Sequence, residues 1–220
     1  MLFRSPPAPA LKEARSLLHE LGALDSDDRI TAEGKSLRAL ALPPRLARMI
    51  VDSHRLGAGE EAAEIAAVLT ERGLGGDNVD LEVRLDQFRR DRSQRAVSAR
   101  SQAQRWASQV AATPTPNLES ELRSPRTPQG GGGRPVQGES EPSTGMMLAL
   151  AFPDRVARNR GKGSFVLANG RGAAVERTAA LARAPYIAVA ELTGTAAQGR
   201  ILLAARIEPA DIEQDRKSVV

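Results

Sequence analysis

The sequence predicts an α+β protein: a winged-helix and helical-bundle first half, a disordered linker, and a C-terminal small β-barrel-like or curved antiparallel sheet. Three observations lead there. Apolar residues recur at helical spacing between Leu11 and Val110. From Thr113 to Thr144 that periodicity stops and Pro, Gly, Ser and Thr take over, as in "SPRTPQGGGGRP". Beyond Met146, short apolar runs alternate with glycine-marked turns.

Pro9 to Leu21 reads as a helix, with Leu11, Ala14, Leu17, Leu18 and Leu21 on one side and Gly22 as its C-cap. Leu24 and Ile30 flank an Asp-Ser-Asp-Asp turn, as in a short hairpin. Thr31 caps a second helix, "AEGKSLRAL", with Glu33 in its first turn. Helix, turn, small β wing and helix make residues 1–42 a winged-helix-like segment. Pro43 and Pro44 open a third helix, and Glu60 to Glu71 forms a fourth, with Ile65, Val68 and Leu69 on one face. Gly73, Gly75 and Gly76 break the chain.

Val79 to Val110 contains neither proline nor glycine and is expected to be one long helix packed by one edge. Its apolar stripe is Leu81, Leu85 and Phe88, then more sparsely Val97, Trp106 and Val110; arginines from Arg84 to Arg105 fill the solvated faces. Residues 43–112 are thus a helical bundle. The linker, 113–144, has too little apolar surface to offset its ordering entropy.

The β-rich part covers 145–214. Met146 to Phe152 is helical, and Pro153 starts a turn, "PDRVARN". "SFVLAN" and "GAAVE" are short strands joined by Asn169-Gly170, a hairpin signal. "YIAVAEL" and "RILLAARI" are longer strands joined through Gly194 to Gly199, giving a four-stranded meander. The last six residues, "DRKSVV" (215–220), break from what precedes them. The codons GAT-CGG-AAG-AGC-GTC-GTG encode them and match the start of a common sequencing adapter, so this tail is expected to be adapter-encoded.

Composition narrows the functions. The chain has 220 residues, 41% of them hydrophobic but only 3% aromatic. The core must therefore be Leu, Ala, Val and Ile, and few rings are left for stacking on bases. A net charge of +4 permits a polyanionic partner. The absence of cysteine excludes disulfides and thiolate metal sites, and His19 and His54 are too far apart to suggest a metal site. No apolar run approaches the roughly 18 residues of a membrane span. "MLFRSPPAPALKEAR" is not a secretory signal, so the expected compartment is the cytoplasm. Gly161-Lys162 is followed by Gly163, and Val156 stands where a phosphate loop needs its first glycine. No other catalytic constellation is present, so neither a cofactor nor an activity is expected of this chain by itself.

The order of these motifs resembles a known family. "EARSLLHELGALDSDDRITAEGKSLRALALPPRLARMI" is similar to the winged-helix to bundle junction of DEAH/RHA-type ATP-dependent helicases, in the HrpB-like branch. "EEAAEIAAVLTERG" and the basic helix after it resemble that branch's helicase-associated bundle. "MLALAFPDRVARNRGKGSFVLANGRGAAV" and "APYIAVAEL" resemble the start of its C-terminal region, most specifically over Phe152 to Arg160. One departure is that "ALPPRLA" is shorter than usual and lacks a His, which implies a local rearrangement of the helix junction.

The resemblance implies an accessory part that closes over two RecA-like domains in cis and lines the exit of a single-stranded nucleic acid, expected to be RNA. ATP and Mg2+ would belong to those RecA-like domains, upstream of Met1. It implies phosphate contacts at Arg158, Arg160, Lys162 and Arg171, with Gly161 and Gly163 allowing close approach and Gly170 and Gly172 shaping the hairpin that presents Arg171. Arg45 would seat the helix junction. Arg155 would either touch phosphate or brace the domain joint by pairing with Asp154 or a neighbouring carboxylate. The alternative is a free-standing winged-helix DNA-binding regulator. It needs a basic recognition helix, for which "TAEGKSLRALAL" offers Lys35 and Arg38.

Overall fold

The structure is a computed structural model, and it describes residues 7–113, 142–195, 199–208 and 211. Helix α1 (Ala8–Glu20) buries none of its residues. A single antiparallel bridge, Leu24 to Ile30, follows it. Thr31 then organises the start of α2 (Ala32–Ala39): its hydroxyl accepts from Gly34 N at 2.9 Å and donates to Gly22 O at 2.7 Å. Gly34 is required there, since a Cβ would stand 2.2 Å from Ala23 O. Ala41, at φ +52°, ends the helix and turns the chain toward Pro43. Helices α3 (Pro44–Arg55) and α4 (Gly59–Thr70) bury apolar faces around Ile50 and Ile65.

The expected long helix is two helices, α5 (Leu81–Arg90) and α6 (Gln94–Ala112). No proline or glycine breaks it; side chains do. Asp91 accepts from Ser93 N at 2.8 Å and from Ser93 Oγ at 3.1 Å, and Ser93 Oγ accepts from Ala96 N at 3.2 Å. These short polar groups outcompete the helical backbone bonds. The break lets α6 turn a face of small residues, Ala96, Ala99 and Ala103, into the core beside Trp106 and Val110, while Val97 stays exposed.

Helix α7 (Thr144–Ala151) starts two residues before the expected Met146, capped by Ser143 Oγ, which accepts from Met146 N at 3.1 Å. Residues 114–141 of the expected linker and the tail 215–220 lie outside the described residues. After a short 3-10 turn (Pro153–Arg155) the chain enters β1 (Val156–Gly161), then β2 (Ser164–Leu167), β3 (Gly172–Ala174), β4 (Tyr186–Gly194) and β5 (Gly199–Ile207). They close a barrel in the order β1-β2-β3-β5-β4. Strand β1 is a correction: "VARN" was expected to be turn. It pairs with both β2 and β4 and closes the barrel, but Ala157 is its only buried residue, so its apolar signal is faint.

Two cores result. One fills the barrel with Phe165, Leu167, Ile187, Val189 and Ile201. The other begins in the bundle and continues through Met147 and Leu148 of α7 to Ala188, Leu203, Ala205 and Ile207 on the outer barrel face. Strands β4 and β5 are thus covered on both sides, which explains their near-continuous apolar runs.

Candidate nucleic-acid interface

The β1–β2 connection is Gly161-Lys162-Gly163, at φ +95°, +55° and +78°. Three successive left-handed residues make a tight tip. Asn159 holds it from below: its Oδ1 accepts from Gly161 N at 2.6 Å, and its Nδ2 donates to Ala182 O and Ala184 O at 2.9 and 2.8 Å. The glycines serve the chain's own turn. A Cβ on Gly163 would lie 2.8 Å from Val175 O, so the close approach there is by backbone, whereas Gly161 faces open space.

Gly161 and Lys162 of the tip line an open groove of about 820 Å³, together with Gly172, Ala173, Ala174 and Gly199. Arg160, Lys162, Arg177 and Arg200 rim it, with Ser164 beside them. Among the described residues the rim has four cations and no carboxylate. Phe165 lines the groove but is only 2% exposed, so it offers no stacking platform. Just outside, Glu176 Oε1 meets Arg200 Nη2 at 2.8 Å.

The four cations singled out in the sequence do not converge. Arg160 and Lys162 stand at the groove. Arg158 is exposed on β1, its Cα opposite Val166 on one side and Tyr186 on the other. Arg171 lies past the far end of β2, a strand of 4 residues that spans about 13 Å. Its N–H is held by Asn169 Oδ1 at 3.1 Å, and Gly170, at φ +80°, makes the turn. Sequence reasoning missed Arg177 and Arg200. They reach the groove because β3 and β5 pair in parallel, Ala173 with Gly199 and Ala174 with Arg200. That closure is a long-range register with no local signal.

Arg171 lies near enough to Arg155, at the junction between bundle and barrel, for its charge to be felt there. Arg45 Nη1 donates to Ala151 O at 3.1 Å and to Asp154 Oδ1 at 2.9 Å. Arg155 does not take Asp154. Its Nη1 donates to Ala190 O at 2.8 Å, and its guanidinium stands 4.6 Å from the centroid of Phe152, with Arg45 at 5.8 Å. Burial, then the positive charges of Arg45 and Arg171, pull the Arg155 pKa down, against the pull of Asp154. The arginines of α5 and α6 are largely engaged within the bundle: Arg89 with Glu64 and Glu61, Arg95 with Glu71, Arg100 with Phe88 O. Among the described residues no cluster of His, Asp or Glu could hold a metal ion, and no helix is long and apolar enough to cross a membrane.

No protein-family model matches the sequence. Its similarities to individual proteins nonetheless point to one class: the chain is similar to the accessory C-terminal region of HrpB-like helicases. One such relative is the ATP-dependent RNA helicase HrpB of Escherichia coli (strain K12), 35% identical over 213 residues, which are 95% of this chain and 22% of that protein. The crystal structure of E. coli DExH-box NTPase HrpB matches 98% of this chain and 23% of its own, with a TM-score of 0.72 at 29% identity. A crystal structure of the Escherichia coli DEAH/RHA helicase HrpB matches 94% of this chain with a TM-score of 0.67. The human probable ATP-dependent RNA helicase DHX35 is 37% identical over 65 residues, 29% of this chain and 9% of that protein. The chain therefore spans about a fifth of HrpB, and the matching part is HrpB's C-terminal region.

Proposed function

We propose that this chain serves as the accessory part of a cytoplasmic ATP-dependent RNA helicase. Its winged-helix-like start and bundle seat against RecA-like domains in cis, and its barrel offers cations to the emerging single strand. ATP and Mg2+ are handled by those RecA-like domains and not by these residues. The observation that carries this reading is the cationic groove on a barrel fused to the bundle by one continuous core. A groove rimmed by cations and without an exposed ring suits a phosphate backbone better than bases. Arg158 and Arg171 are outlying contacts for a strand that continues past the groove.

The test is binding of the 220-residue chain to a labelled single-stranded oligouridylate across a salt series. Each phosphate contact adds roughly 0.7 to the slope of log affinity against log salt. Changing Arg160, Lys162 and Arg177 together to Ala should flatten that slope by about 2 and weaken binding to every sequence alike. Unchanged affinity and slope would sink the reading.

A further inference from the structure

Arg200 sits on a ridge between two recesses. On one side is the cationic groove with Arg160, Lys162 and Arg177. On the other is a more polar recess that contains Asp77 and Glu176. The side chain is 67% exposed, and in this structure it is turned to the carboxylate, 2.8 Å from Glu176 Oε1. Its backbone is fixed by pairing to Ala174 on one side and Thr193 on the other, so only the side chain is free to move between the recesses. Glu176 is itself anchored two residues beyond β3, next to Arg177 in the chain.

We propose that Glu176 is a built-in competitor for the groove. It holds Arg200 as a counter-ion, and a nucleic-acid phosphate must displace it before Arg200 becomes the fourth phosphate-binding cation. This rests on the nucleic-acid reading above and concerns its regulation. An exposed ion pair is weak, so the competition is mild and easily reversed. It tunes affinity and leaves the groove open, a useful property in a surface that a strand must pass along and leave. Any change that neutralises or removes the Glu176 carboxylate frees the arginine.

The experiment is a double-mutant cycle on the full chain, read by binding of the same oligouridylate across a salt series. Glu176→Gln keeps the shape and removes the charge. It should tighten binding about two- to fivefold and steepen the salt slope by roughly 0.7, one further phosphate contact. In an Arg200→Gln background, Glu176→Gln should have no effect. Glu208→Gln is the control, because Glu208 pairs with Arg206 at 2.7 Å and neither residue lines the groove. Equal tightening by Glu176→Gln with and without Arg200 would reduce the effect to lost repulsion and overturn the competition. A parent that binds with a steep salt slope that Glu176→Gln leaves unchanged overturns it too, while the nucleic-acid reading stands. Failure of parent and variant alike to bind overturns both.

Discussion

Phe152 shows how much one side chain settles at the joint. Its ring is the apolar surface on which both Arg45 and Arg155 stand, and it spaces their charges so that one takes Asp154 and the other Ala190 O. Asp154 also anchors the β2–β3 turn through its carbonyl, which accepts from Asn169 N at 3.2 Å. Three neighbouring residues thus bind helix, strand and turn together. Ser53 is the opposite case. It is 0% exposed on α3, and among the described residues its hydroxyl has no hydrogen-bond partner. A buried hydroxyl without a partner costs the folded state its lost hydration. Ser53→Ala is therefore expected to raise stability by up to about 1 kcal/mol, a Tm increase of about 2–4 °C for a chain of this size. A fall in Tm on calorimetry would show that the hydroxyl contributes a bond.

Among the elements, α5 carries an electrostatic burden at its start. Asp80 caps it, its Oδ1 accepting from Glu82 N at 3.0 Å. Burial nevertheless raises the Asp80 pKa, outweighing the backbone bonds from Glu82 and Val83; Glu82 is raised by burial and then by the charge of Asp80. A carboxylate whose folded pKa lies above its unfolded value favours folding in its protonated form, so that stability is present in acid and lost as pH rises through the folded pKa. Asp80→Asn keeps a capping oxygen and removes the charge. The variant should melt above the parent at pH 7, with the gap closing as pH falls toward about 4, the ordinary carboxylate range. A gap that is negative or constant across that range would refute the assignment. The neighbouring break between α5 and α6 marks what the sequence could show. Thr31 and the Asn169-Gly170 turn announce themselves within a few residues, because capping and turn chemistry are local. Asp91 and Ser93 are equally local, yet a reading that looks for proline and glycine as helix breakers passes over them. Strand β1 and the cations Arg177 and Arg200 depend on which strands meet when the barrel closes, and no window of sequence contains that.

At the scale of the molecule, the bundle and barrel share one apolar core, so they should melt together. Helix α7 makes the connection: Met147, Leu148 and Ala151 are all 0% exposed, with α3 on one side and β4 and β5 on the other. Gly145 allows the approach, since a Cβ there would stand 1.8 Å from Arg206 O, a backbone atom that cannot turn aside. Gly145→Ala must push α7 off β5 and open the shared core at its centre. Such overpacking costs about 1–3 kcal/mol, or a Tm loss of about 2–12 °C. The chain provides its own reporters, with its only tryptophan, Trp106, in the bundle and its only tyrosine, Tyr186, in the barrel. If the core is continuous, Trp106 fluorescence and Tyr186 absorbance should follow coincident transitions in the parent, and Gly145→Ala should lower both by the same amount. Should the tyrosine transition separate from the tryptophan transition already in the parent, the barrel is an independent unit, and a cationic groove on it cannot be held in fixed register with the bundle.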